Sequence, residues 1–355
     1  MWARRTLLSS MTFWALLARA AAAAGLPDPS PPPASSQRII RVPPPLPAQA
    51  PVAPKPAAAP QPRSLGEEDD DTSELPMENF PGPAPLPGPE AWALDTWYNA
   101  VGARAPDESF GALIVRVAEA ALGRPYADAP AADGAEVVNI NVSAFECVSF
   151  VESSLAMARC IWQGTPTATC FSKEVVTIRY RDGRIDGYPS RLHYFEDWMG
   201  NNARRGHMAL MGNELGGEPV VRHTAYMTSH PAYFPPLRDA DVFARIQAME
   251  RQLSTQPQII VMREMVGAIE PRLMDGDIIA VTTRRANILV RHAGLVQLGP
   301  DHTVHLLHAS SARHKVTRTK ETLAEYINRR PEREGIIVAR PTPPPVPVKS
   351  AFTVP

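Results

Sequence analysis

The chain has 355 residues, 44% of them hydrophobic, with 36 lysines and arginines against 37 aspartates and glutamates, for a formal net charge of −1. That balance excludes the basic character expected of a nucleic-acid binder. The three cysteines are too few for a small disulfide scaffold.

In chain order, the N-terminus reads as an export signal over residues 1–24. Arg4 and Arg5 form a positive start, Leu7, Leu8, Phe13, Trp14, Leu16 and Leu17 an apolar stretch, and alanines 20–24 offer small-residue cleavage positions. Arg19 interrupts the apolar run, so no stable membrane span is expected in the mature chain. The alternative is an uncleaved tether. Export places the protein in a periplasmic or secreted setting. Residues 25–90 hold about half of the chain's 39 prolines and an acidic run from Glu67 to Asp71. Proline fixes φ and removes a donor, so this stretch is expected to be a disordered, extended linker. Residues 91–340 are long enough for one large domain, and 341–355 form a second proline-rich tail.

Within the domain, Phe110, Leu113, Ile114, Val117 and Ala121 recur at helical spacing, predicting a helix over 107–122 that starts near Asp107. Val148, Val151, Leu155 and Ala158 predict a second helix over 147–163. Residues 174–180 alternate and end at Arg181-Asp182-Gly183, which reads as a strand and a turn. The stretch 184–237 reads as ordered loops. Strands are expected at 258–263, 277–283, 289–298, 303–309 and 335–339, and helices at 239–253 and 321–329. Helices followed by an antiparallel meander predict an α+β domain.

The chemistry centres on Phe145-Glu146-Cys147-Val148. A cysteine at a helix start meets unpaired N–H groups and the positive end of the dipole, which favour a thiolate. Cys160 and Cys170 are near enough in sequence to pair with each other, or to remain two buried thiols; either way Cys147 is left unpaired. A thiol nucleophile needs a base, and the base needs an orienting partner. His292, on a strand-like run, and one of His305 and His308 can supply them, because those two histidines point to opposite faces of a strand. His302, His305 and His308 also raise a zinc reading. Their spacing does not converge on a strand and no Cys-Xaa-Xaa-Cys is present, so no metal and no cofactor are expected.

The combination resembles a known group. A helix-starting cysteine, a later His292-Ala293-Gly294 on a strand and a histidine before Ala309-Ser310 resemble the papain-like cysteine hydrolases of the NlpC type. Gly123-Arg124-Pro125-Tyr126 and Gly276-Asp277-Ile278 are similar to two further segments of that group. Tyr180-Arg181-Asp182-Gly183, Gly187-Tyr188-Pro189-Ser190-Arg191-Leu192-His193-Tyr194-Phe195 and Asp197-Trp198 resemble one branch, the N-acetylmuramoyl-L-alanine amidase-like proteins. That branch usually has aspartate before the nucleophile, where this chain has Glu146.

The resemblance implies a papain-like fold with the cysteine helix packed on an antiparallel sheet, and an elaborated loop insertion. It implies an amidase that cuts the bond between the (anhydro) N-acetylmuramic sugar and L-alanine in muropeptides through a thioester. Cys147 would be the nucleophile, His292 its ion-pair partner and base, and His308 the group orienting the imidazole. Tyr126 and Glu146 would support the oxyanion site. Arg191, His193, Tyr194 and Trp198 would contact substrate, although Arg191 reads equally as a buried structural cation and Trp198 as core. Two other readings share these residues: an endopeptidase cutting between D-glutamate and diaminopimelate, and a non-catalytic peptidoglycan-binding module.

Overall fold

The computed structural model describes residues 86, 88–128 and 136–346. The expected signal and nearly all of the expected linker lie outside the described residues, as does the tail beyond residue 346. Among the described residues, no helix is long and apolar enough to cross a membrane.

Four helices come first. Helix α1, Gly88–Val101, was not expected, and its first turn falls inside the stretch read as linker. Its signal was present: Leu94, Trp97, Tyr98 and Val101 are buried at helical spacing. The Trp97 indole N–H donates to the Val117 carbonyl at 2.9 Å, tying α1 to the next helix. Helix α2 runs Phe110–Glu119 and starts later than Asp107, because the Ser109 hydroxyl caps it by accepting the Ala112 N–H. Helix α3, Cys147–Trp162, is buried on almost every side, as expected of a helix enclosed by other elements. Helix α4, Ala168–Arg179, occupies the stretch read as a strand. The β-branched residues there suggested alternation. The Thr167 cap and burial of Phe171, Val175 and Ile178 at helical intervals decide for helix. As a helix it also presents Glu174 and Arg179 to α3, where they pair with Arg159 at 2.6 Å and Glu152 at 2.8 Å. A Cys160–Cys170 disulfide joins the same two helices, leaving Cys147 as the free cysteine.

The Asp182-Gly183 turn follows, with both residues at positive φ. The loop-rich stretch holds more regular structure than expected. It contains helix α5, Phe195–Arg204, and two short strands, β1 (Met208–Leu210) and β2 (Glu218–Val220). Next come α6, Ala240–Leu253, and the strands β3 (Gln258–Met262), β4 (Ile278–Thr283), β5 (Val290–Leu298), β6 (Val304–Ser310) and β7 (Lys315–Arg318). Helix α7, Leu323–Asn328, and strand β8, Arg333–Pro341, complete the domain. The strands form one antiparallel sheet in the order β2-β3-β8-β4-β5-β6-β7, with β1 also paired to β8.

The main core lies between α1–α4 and one face of the sheet, where Leu155, Phe150 and Phe171 meet Ala280, Ala293 and Leu307. A second cluster covers the opposite face with Val266, Ile269, Leu323 and Ile327. This sandwich pins the start of α3 against β5. The Gly276-Asp277 pair serves the fold: buried Asp277 accepts two bonds from Arg340 at 2.8 Å.

Candidate active site

The site is built on the first turn of α3. Glu146 is its N-cap, in extended backbone geometry. One carboxylate oxygen accepts the Val148 N–H at 2.8 Å and the other the Ser149 N–H at 2.6 Å. The Ser149 hydroxyl accepts the Glu146 N–H in return, completing a capping box. Glutamate in place of the shorter acid therefore still satisfies the helix start. Just upstream, Phe145 and Tyr126 form a short bridge, with the Ala127 N–H donating to the Phe145 carbonyl. That bridge places the Tyr126 ring beside the thiol.

Strand β5 faces this helix start. The Ala293 N–H donates toward the Cys147 sulfur, so the adjacent His292 belongs to the same corner. His292 Nε2 lies 2.6 Å from His308 Nδ1, with the rings edge to face. With Nε2 engaged, Nδ1 is the other nitrogen of the His292 ring. Gly294 permits the close approach of β5 and β6: a Cβ there would lie 2.9 Å from the Leu307 carbonyl oxygen and 2.8 Å from Leu306. His305 is turned away, with Nδ1 against the Glu321 carbonyl oxygen. Strand alternation thus leaves His308 as the histidine beside His292.

Cys147, His292 and His308 line one cavity of about 380 Å³ together with Tyr126, Ser310 and Tyr326. The thiol is buried and its pKa is raised, first by burial and then by the Glu146 carboxylate. This corrects the expectation of a thiol acidified by the helix start, whose N–H groups and dipole are outweighed by the lost hydration. His292 is driven well below 6.5 by burial, then by His308 and the Arg333 and Arg291 guanidinium groups. Burial, followed by Arg333, lowers His308 to about 4. Both shifts favour the neutral thiol and the neutral imidazole over the expected ion pair. Tyr126 stays protonated, mainly because it is buried, and its hydroxyl donates to Asp128.

The remaining expected site residues lie outside this cavity. Tyr194 and Trp198 are fully buried: Trp198 stacks on Phe195 at 4.9 Å, and the Tyr194 hydroxyl donates to Glu250 at 2.5 Å. Rings enclosed in this way are not exposed to stack on a sugar, which corrects that expectation. His193 is held by the Tyr188 carbonyl at 2.9 Å. Arg191 lies 4.0 Å from Glu136 and is also within electrostatic reach of Glu146. It acts on the site indirectly, by favouring the charge on the capping carboxylate.

Sequence reasoning missed Tyr326, Arg291 and Arg333. The Tyr326 ring packs 5.6 Å from His308 and 6.5 Å from His292. The Arg333 guanidinium lies 3.8 Å over the Tyr326 ring. No periodicity marks a residue on a short helix far along the chain as a neighbour of the thiol. No cluster of three metal-ligating side chains occurs among the described residues.

A helical layer thus packs on an antiparallel sheet, with a thiol and two histidines in one cleft at their junction. The model of the AmiA-like, N-acetylmuramoyl-L-alanine amidase-like family matches residues 116–336. The chain belongs to that family. A crystal structure of an N-acetylmuramoyl-L-alanine amidase from Bacteroides uniformis is similar at 31% identity and a TM-score of 0.61, covering 66% of this chain and 99% of that one. A protein from Bacteroides fragilis described as a putative xylanase is similar at 32% identity and a TM-score of 0.59, covering 63% and 98%. A Legionella pneumophila protein of the DUF1460 family, at 15% identity and a TM-score of 0.53 over 73% and 96%, shares the fold. No curated protein matches the chain.

Proposed function

We propose that this protein is an exported cysteine amidase of the papain-like, NlpC type. It hydrolyses the amide between the lactyl group of (anhydro) N-acetylmuramic acid and L-alanine in muropeptides. The observation that carries this reading is the convergence, in one cavity, of a helix-start thiol and a histidine whose far nitrogen is engaged by His308.

In this reading His308 Nδ1 accepts the His292 Nε2–H, leaving Nδ1 of His292 as a base. As the Cys147 sulfur attacks the amide carbonyl, His292 takes its proton and then passes it to the leaving L-alanine nitrogen. The S–C bond forms and the C–N bond breaks. Water, deprotonated by His292, then attacks the thioester; the C–O bond forms, the S–C bond breaks to release the muramic carboxyl group, and the proton returns to sulfur. A neutral resting pair suits this order, because charge separates only as the bond forms. Glu146 occupies the Val148 and Ser149 amides, so the Cys147 N–H, which lies against its own sulfur at rest, is the first-turn donor the oxyanion would draw on. Tyr126 can assist only by turning its hydroxyl from Asp128. Arg191 bears on the helix start from outside the cleft, through the Glu146 carboxylate. The proposed reaction calls for no cofactor.

The Cys160–Cys170 disulfide accords with an oxidising compartment, to which the proposed signal peptide over residues 1–24 would deliver the chain. The domain is taken as 91–340, preceded by α1's first turn. The test is a digest of defined muropeptides by the wild type and Cys147→Ala, read by mass spectrometry. Free stem peptide from the wild type and none from the variant is expected. Release of an L-Ala–D-Glu end would instead identify an endopeptidase, and normal hydrolysis by the variant would refute the mechanism.

A further inference from the structure

Two breaks in strand register flank β4 at the level of the site. On one side Val281 pairs with His292 but Thr282 pairs with Val290, so Arg291 is the extra residue of a β-bulge. On the other, Val281 pairs with Ile336 and Thr283 with Arg333, so β8 carries one residue more than β4 over the same span. A regular strand would send Arg291 and His292 to opposite faces; bulges re-aim side chains in this way. Here Arg291, His292 and Arg333 all line the cavity that holds Cys147.

The cavity is strongly cationic. Its lining includes Arg285, Arg291, Arg330 and Arg333 but one carboxylate, Glu332. Arg333 is fixed in place: its guanidinium lies over Tyr326 and donates to the Tyr326 carbonyl. Arg291 is half-buried; the Glu332 carboxylate attracts it electrostatically, but no ion pair or hydrogen bond to its guanidinium forms among the described residues. Desolvating a guanidinium without a partner is unfavourable, and a planar fork is matched by a carboxylate.

We propose that Arg291, with Arg333 behind it, is a specificity determinant that binds a free carboxylate of the peptide on the leaving-group side of the scissile amide. This rests on the amidase reading. In such a peptide L-alanine is amide-linked at both ends, so the first free carboxylate is the α-carboxylate of the γ-linked D-glutamate that follows. The site therefore selects stems whose D-glutamate is the free acid over those in which it is amidated to D-isoglutamine.

The test uses the full chain carrying Cys147→Ala, which can bind without cleaving. Calorimetric titration compares L-Ala-γ-D-Glu-diaminopimelate with the same peptide amidated at the glutamate α-carboxyl. The acid is expected to bind at least about tenfold more tightly, typical of a desolvated carboxylate–guanidinium pair. Arg291→Met should collapse that ratio toward one. Arg291→Lys keeps the charge but loses the fork, and should retain part of it. Equal binding of the two peptides, binding of neither, or an undiminished preference in Arg291→Met overturns the proposal. The wild-type muropeptide digest reports separately on the amidase reading, because it scores which bond is cut whatever the amidation state.

Discussion

Replacing Glu146 by alanine tests how the nucleophile is held. The substitution removes a side chain that accepts two first-turn N–H groups at 2.8 and 2.6 Å. Loss of a helix cap costs about 1–2 kcal/mol. A hydrogen bond to a charged acceptor contributes roughly 1.5–3 kcal/mol, and two amides lose one here. Against this stands the cost of burying the carboxylate, visible in the upward pKa of Glu146 caused first by its burial. The net loss should be about 2 kcal/mol. With a urea slope of about 2 kcal/mol/M, the unfolding midpoint should fall by about 1 M. Glu146→Asp keeps a cap of the usual reach and should recover most of the loss. The same carboxylate raises the thiol pKa, so Glu146→Gln should speed alkylation of Cys147 by iodoacetamide at neutral pH. Urea unfolding followed by circular dichroism and a pH series of alkylation rates provide the two readouts. An alanine variant within about 0.5 kcal/mol of wild type, or a glutamine variant with slower alkylation, would refute the account of Glu146 as both cap and brake.

Activity should persist in mild acid. The base must be neutral, and burial with neighbouring guanidinium groups holds His292 well below 6.5 and His308 at about 4. The acidic limb of kcat/KM should therefore lie well below pH 6.5; a limb at 6.5 would contradict the depression of His292. The same depression makes the fold acid-sensitive. The unfolded histidine gains its proton first, so stability is flat above 6.5 and declines as pH falls toward 4. His308 alone accounts for about 3 kcal/mol of that decline, which urea titrations of wild type and His308→Asn would reveal as a difference in slope with pH. Gly294→Ala should destabilise by roughly 2 kcal/mol or more, since its Cβ would meet the Leu307 carbonyl at 2.9 Å; a thermal melt at the wild-type temperature would argue against a tight β5–β6 contact. Reducing the Cys160–Cys170 bond, which closes a loop of 10 residues in sequence separation, should cost about 3 kcal/mol. Alkylation at both positions without reductant would rule the bond out.

Some of this molecule is determined locally and was therefore legible in the sequence. The α2 and α3 helices and the strands β3 to β6 follow from periodic burial of apolar side chains, and the Asp182-Gly183 turn follows from its backbone needs. The thiol's place at a helix start was readable because the apolar face of α3 begins there. Alternation on β6 separated His305 from His308, although which of them meets His292 depends on the register with β5. Tertiary contacts decided the rest. Residues 174–180 became helical because Glu174 and Arg179 find partners on α3. Tyr194 and Trp198 went to the interior because their neighbours closed over them. Burial, which favours the neutral forms of Cys147 and His292, overrides the helix end that the sequence makes visible. The turn of Arg291 into the cleft depends on a one-residue mismatch with β4, and a register shift belongs to a pair of strands, so neither strand's sequence shows it alone.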